Sequence, residues 1–166
     1  MKGASIVLAV YVFALSSFSL TVSYSSANDL TDNEIRRTVT SLINSRNTVH
    51  IQNVRIERYD QGQLDVEINA NLGNCWGKEE FAKGFAREAL KALYTSDLRI
   101  SQVVLRVCGS SEILLTVALG KNPAQNLNWE KEKSLNLFFE RVKSRMNYSG
   151  NPADHCWLIE NFSTKR

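Results

Sequence analysis

VRIERYDQGQLDVEINANL, residues 54–72, is a pair of alternating runs around a turn. Val54 and Ile56 alternate with Arg55 and Glu57, and Val66, Ile68, Ala70 and Leu72 alternate with Asp65, Glu67, Asn69 and Asn71. A period of two is the signature of a strand with one buried face. Parity then fixes the register. With Asp60, Gln61 and Gly62 as the loop, Ile56 faces Val66 and Val54 faces Ile68 on one side of the sheet. A loop one residue shorter would set Ile56 against Glu67 and mix the faces. Gly62 takes the left-handed position such a loop needs. The other face receives Arg55 beside Glu67, which is favourable, and Glu57 beside Asp65, which is not. We read the Glu57, Asp65 and Glu67 carboxylates as a solvated sheet face rather than as an acid–base pair.

Outward from this hairpin the pattern changes period. Phe81, Phe85, Ala89 or Leu90, and Leu93 recur at helical spacing and predict a helix over Lys78–Tyr94. A second hairpin repeats the first, with Val103, Leu105 and Val107 facing Val117, Leu115 and Ile113 around Gly109, Ser110 and Ser111. Asn122-Pro123 interrupts the chain before a helix predicted over 129–146, striped by Leu135, Phe138, Phe139, Val142 and Met146. Lys143 and Arg145 suit the negative end of its dipole, and Gly150 with Pro152 closes it. Upstream, Thr31-Asp-Asn-Glu34 is a capping box, opening a helix striped by Ile35, Val39, Leu42 and Ile43 that fades by Asn47. The expected fold is α+β in the order α-β-β-α-β-β-α. A four-stranded, mostly antiparallel sheet carries helices on its apolar face, and a C-terminal tail runs from about residue 148.

The N-terminus belongs to another class. Residues 1–27 contain one charge, Lys2, ahead of the apolar run IVLAVYVFAL at residues 6–15, and they end in Ser25-Ser26-Ala27. Small residues at −1 and −3 suit signal peptidase, so we expect a secretory signal cleaved before Asn28 and a single domain over 28–166. The alternative is an uncleaved anchor, since residues 4–22 carry no charge, but Ser16, Ser17, Ser19 and Thr21 dilute its second half. The expected location is secreted or periplasmic, with no membrane contact after cleavage. The whole chain has 166 residues and a net charge of +3. Without the signal, 139 residues remain with 19 basic and 17 acidic side chains, a net of +2. That is too small to imply nucleic acid or anionic lipid as a partner.

Three cysteines remain after export, Cys75, Cys108 and Cys156. An oxidising compartment favours one disulfide and one spare thiol. Strand directions place all three at one edge of the expected sheet, and face parity turns Cys108 away, so we expect Cys75–Cys156, with Cys75–Cys108 second. The same edge gathers Trp76, His155 and Trp157. A zinc or copper site of Cys75, Cys108, Cys156 and His155 lacks ligand spacing, since adjacent His155 and Cys156 are poor joint ligands for one tetrahedral ion. No metal or other cofactor is expected.

No catalytic residues emerge. Gly73-Asn-Cys-Trp-Gly77-Lys78-Glu79 is one residue short of a phosphate loop and has Glu79 where Ser or Thr must meet magnesium. Gly109-Ser110-Ser111 lacks the second glycine of a nucleophile elbow. His50 and His155 read as surface histidines, and Asn147 and Asn161 open glycosylation sequons that matter only in a eukaryotic host. The outer face of the second hairpin is apolar at Val104, Leu114 and Ala118. Either the first helix covers it, or a protein partner or second copy does.

Residues 30–37, LTDNEIRR, followed by two strands and a helix, resemble the α-β-β-α-β order of BON domains, found in exported bacterial proteins. The glycines and short loops of that family are missing, and the chain continues for a further strand and helix. The segment from Trp76 through Trp129 is similar to an uncharacterised family of exported prokaryotic α+β domains. There a helix resembling Phe81-x3-Phe85-x7-Leu93-Tyr94 precedes a hairpin and an element matched here by Lys121, Ala124, Asn128 and Trp129. This resemblance covers about a third of the chain and implies an exported accessory domain without a known activity. The expected function is therefore binding without catalysis. The alternatives are a small secreted hydrolase or thiol-dependent enzyme at the Cys75, His155 and Cys156 edge, and a membrane-tethered interaction domain.

Overall fold

The structure, a computed structural model, describes residues 30–44, 49–73, 78–110, 112–129, 134–148 and 150–162. The expected signal, residues 1–27, lies outside them, as do Cys75 and Trp76. The first helix, α1, spans Asp32–Asn44. Glu34 N–H donates to Thr31 Oγ1 at 3.3 Å and Thr31 N–H donates to Glu34 Oε2 at 2.7 Å. This reciprocal box satisfies N–H groups at a helix start that has no internal acceptors for them. The Thr31 backbone bond holds the Glu34 carboxyl below its ordinary range. Ile35, Val39 and Ile43 are buried beneath it.

Strands β1, His50–Arg58, and β2, Leu64–Asn71, pair antiparallel in the expected register, Ile56 facing Val66 and Arg55 facing Glu67. The connection Asp60–Gly62 is closed by Tyr59 N–H to Gln63 O at 2.9 Å. Gly62 is left-handed at φ 70°, and so is Gln61 at φ 64°. Helix α2, Lys78–Tyr94, brings the chain back so that β3, Ile100–Cys108, lies parallel to β2. Its buried side is built on Ala82, Ala86 and Ala89 with Phe85, Leu90 and Leu93, whereas Phe81, expected inward, is 54% exposed.

Strand β4, Ile113–Gly120, pairs with β3 two residues away from the expected register: Val103 faces Leu119, Leu105 faces Val117 and Val107 faces Leu115. A shift of two keeps each side chain on its own face, so the hydrophobic pattern cannot distinguish the two pairings. The difference lies in a longer turn, closed by Gly109 N–H to Glu112 O at 2.8 Å, and in a bulge after Val107. The bulge re-aims Leu114, which packs by Gly109 and enters the core beside Leu115.

The sheet has five strands, one more than expected. Strand β5, Cys156–Glu160, pairs antiparallel with β4 and completes the order β1-β2-β3-β4-β5. The stretch expected to be a tail from about 148 therefore gives the sheet a strand at Cys156–Glu160. Its sequence alternates in burial but not in polarity, since Cys156 and Leu158 are buried while Trp157 and Ile159 look outward, so period two leaves no trace. A short helix not expected from the sequence, α3, Lys121–Gln125, spans the Asn122-Pro123 interruption, and the helix predicted over 129–146 corresponds to α4 alone, Leu135–Ser144. Helix α3 has Pro123 in its first turn, where a missing N–H costs nothing. Helix α1 packs on β1 and α2, α2 on β3, β4 and α4, and α4 on β5.

An ion network fastens β5 to the helices. Lys83 of α2, only 8% exposed, lies 2.9 Å from Glu160 Oε1 and 2.6 Å from Glu79. Lys143 of α4 lies 2.6 Å from Glu160 Oε2. Burial works against the Lys83 charge, but its hydrogen bonds to Glu79 and Glu160 prevail and raise its pKa. Burial likewise opposes ionisation of Glu160, and Lys143 and Lys83 together overcome it and lower its pKa. The Lys83 ammonium also sits over the Phe139 and Phe162 rings, at 5.9 and 5.6 Å.

Candidate binding cleft at one end of the sheet

The end of the sheet where β2 and β3 begin and β4 finishes opens into a cleft of about 430 Å³. Tyr94, the last residue of α2, and Trp129 form its aromatic wall, with ring centroids 6.3 Å apart and planes inclined by 19°. Trp129 lies beyond α3 instead of in a long helix, and it is wedged from behind by Phe138 at 5.5 Å. Burial keeps the Tyr94 phenol protonated, and its O–H donates to the Leu119 carbonyl, so the ring is fixed in place. Leu98, Ile100 and Ala124 supply aliphatic surface, and Gln61, Gln63 and Gln125 supply amides. Arg99 and Lys121 bring two cations, and among the described residues neither is in an ion pair and no carboxylate lines the cleft.

Two backbone features set its rim. Gln61 holds its left-handed conformation while its carbonyl accepts from Arg99 Nη1 at 3.3 Å. A non-glycine residue there costs roughly 1–2 kcal/mol, and such strain gathers at ligand clamps. Gly120, immediately before Lys121, donates its N–H to His155 O at 2.6 Å, and the backbone of Pro152 and Ala153 crosses where a Cβ would stand. That close approach anchors the start of α3, and hence one side of the cleft.

A polar cluster sits beside the cleft on the sheet face away from the helices. The β2–β3 ladder slips between Leu64 and Asp65, so Ile100 faces Leu64 and Gln102 faces Asp65, with Ser101 as the extra residue. Ser101 and Gln102 are both buried. Burial raises the Asp65 pKa, the Glu57 charge adds to this, and hydrogen bonds from Tyr59 and Ser101 oppose it. Asp65 Oδ1 itself has no hydrogen-bond partner among the described residues. The Asp65 charge in turn raises the Tyr59 pKa. Asp65 thus departs from the solvated face expected of it, unlike Glu57, which is exposed beside Arg55 at 2.6 Å, and Glu67, which pairs with Arg106. His155 Nδ1 lies 2.8 Å from the Gln102 amide nitrogen, a neutral partner.

The residues singled out in the sequence are dispersed. Cys108 faces Ile113 at one end of β4, whereas Cys156 faces Leu119 at the other, so these two do not share an edge. The expected direction fails because the chain doubles back after α4, Asn147 exchanging backbone hydrogen bonds of 2.7 and 3.0 Å with Cys156. The expected Cys75–Cys156 pair involves a residue outside the described ones. Cys108 and Cys156 are not bonded to each other or to another cysteine among the described residues, and Cys156 Sγ is buried 3.4 Å from Val142 O. Burial pushes the Cys156 thiol up, away from the thiolate that nucleophilic chemistry needs. No cluster of His, Cys, Asp and Glu among the described residues has the makings of a metal site.

Val104 is half-buried, and Leu114 and Ala118 are 1% and 0% exposed, so the expected apolar patch is not one. Helix α1 does not cover it. The bulge takes Leu114 inward, and β5 lays Trp157 opposite Ala118. The exposed apolar side chains near this edge are instead Ile159, at 49%, and Tyr148, at 67%, which stacks on Trp157. Neither a family model, nor a curated protein, nor a solved structure matches this chain. Of the cleft, the sequence signalled Gln61, Tyr94, Lys121, Ala124 and Trp129 only as parts of a turn, a helix end and a family-like element, and Gln63, Arg99 and Gln125 not at all.

Proposed function

We propose that this protein is an exported binding module that seats a small molecule in the cleft beside Tyr94 and Trp129. The cleft itself carries the reading. Its volume falls in the range of small-molecule sites, and aromatic walls with a few convergent polar groups are what such sites are made of. Export rests on the N-terminal pattern of residues 1–27, and intact mass of the secreted product tests it, with a start at Asn28 expected. A thermal-shift screen of a fragment library tests the seat, comparing wild type with Gln63→Trp, which fills the cleft from its rim. Fragments that stabilise wild type and lose their effect in the variant support the reading. Hits that stabilise both proteins equally, or no hits, refute it.

Tyr148, Trp157 and Ile159 favour a second reading, in which the β5 edge meets a protein partner or a second copy. Solution mass of wild type and Ile159→Glu separates them, since a monomer in both removes self-association. In an oxidising compartment the proposed Cys75–Cys156 disulfide is tested by peptide mapping without reduction. A Cys75–Cys108 peptide would replace that pairing, which is geometrically notable because Leu72 N–H already bonds Cys108 O at 2.9 Å.

A further inference from the structure

We infer that the cleft selects a small aromatic carboxylate, an anion on a flat apolar body. This rests on the reading of the cleft as a ligand seat and adds the chemical class. Three observations carry it. The wall is aromatic and fixed: Tyr94 is held by its bond to Leu119 O, and Trp129 is braced between Tyr94 and Phe138. A ring that stacks there displaces water from Leu98 and Ile100 without reorganising the protein. Among the described residues the charge at the rim has one sign. Arg99 and Lys121 are exposed, and among those residues they have no ion-pair partner and face no carboxylate in the lining.

A cationic ligand would meet two like charges, and a neutral one would leave both cations unused. The guanidinium fork suits a carboxylate, and charge-assisted hydrogen bonds of this kind are about twice as strong as neutral ones. Arg99 is also held in position, because its Nη1 donates to the carbonyl of strained Gln61. The strain and the cation therefore belong to one device: the left-handed turn at Gln61 presents a carbonyl that aims Arg99 across the mouth of the cleft. The amides of Gln61, Gln63 and Gln125 can serve ring substituents, as they donate and accept equally.

Four probes test the class by calorimetry at low salt on the mature protein: 2-naphthoate, its neutral alcohol 2-naphthylmethanol, the cation 2-naphthylmethylammonium, and glucuronate. We expect 2-naphthoate to bind about tenfold more tightly than the alcohol and the ammonium probe to bind weakest. Arg99→Gln and Lys121→Gln, both at exposed positions, should each remove most of the naphthoate preference and leave the alcohol's affinity unchanged. Equal binding of naphthoate and alcohol, both lost in Gln63→Trp, overturns the charge selection while the seat stands. Tighter binding of glucuronate than of naphthoate overturns the aromatic class. Absence of binding by all four, or binding that Gln63→Trp does not alter, overturns the seat and the class together.

Discussion

The two hairpins are built on one plan and live in different surroundings. In β1–β2, every second residue of β1 meets solvent, and Val54 and Ile56 remain 7% exposed because this strand is an edge. In β3–β4, the residues of β4 from Leu114 to Gly120 are all buried. The difference is neighbours. Strand β1 has β2 on one side only, while β4 lies between β3 and β5 and below α2. Alternating polarity is a record of one wet face, so the hairpin at the edge announces its register and the internal one conceals it. The cleft and the polar cluster lie where the two hairpins meet, at the parallel β2–β3 junction.

The contrast can be broken most severely at Gly120. Gly120→Ala places a methyl group into the backbone of Pro152 and Ala153, which cannot yield as a side-chain tip would. We expect a loss of more than about 3 kcal/mol, or failure to fold, in a urea titration. In the first hairpin the loop glycine, Gly62, is required for its φ of 70° instead. A matched pair of truncations comes next. Leu105→Ala, at 0% exposure between two strands, should cost about 3–5 kcal/mol, and Ile56→Ala at the edge nearer 2. Equal losses would show that β1 is as tightly enclosed as β3.

The Glu160 network sharpens the role of β5. Glu160→Gln should cost about 1–3 kcal/mol at pH 7, because it leaves buried Lys83 with Glu79 alone, and Lys83→Met a similar amount, because it leaves the partly buried Glu160 carboxylate with Lys143 alone. The sign with pH follows from the lowered Glu160 pKa. Its contribution is complete above the ordinary value near 4.5 and is lost as pH falls through the folded value. Wild type should therefore lose its advantage over Glu160→Gln below about pH 4.5, measured by chemical denaturation across pH. The smallest effect is expected at Gln61. Gln61→Gly relieves the left-handed strain, raising stability by roughly 0.5–1 kcal/mol and loosening the Arg99 clamp. A lower melting temperature in that variant would mean that the conformation is unstrained.

How much was legible follows the same division. The capping box at Thr31 and Glu34, the bounds of helix α2 and the β1–β2 register over Val54–Glu57 are legible because each depends on residues close in sequence or on polarity contrast. The β3–β4 register slipped by two because a bulge after Val107 changes turn length without changing faces. Strand β5 was missed because its outward residues, Trp157 and Ile159, are as apolar as its inward ones. The cleft was invisible for another reason. Arg99, Lys121 and Gln125 are ordinary surface residues in the sequence, and they become a site only where α2, α3 and the first loop converge.

The sequence by itself determined where the first two helices start, which residues of the first hairpin face inward, and that the N-terminus has the composition of an export signal. These are matters of local hydrogen bonding and of apolar side chains leaving water, both written in residue order. Only the tertiary structure decided that the last strand joins the sheet, that Cys108 and Cys156 stand at opposite ends of β4, and that Gln61, Tyr94, Arg99, Lys121 and Trp129 enclose one space. Those outcomes turn on bulges and close backbone approaches. Such features redirect the chain by one or two residues, and the alternation of polarity alone does not register them.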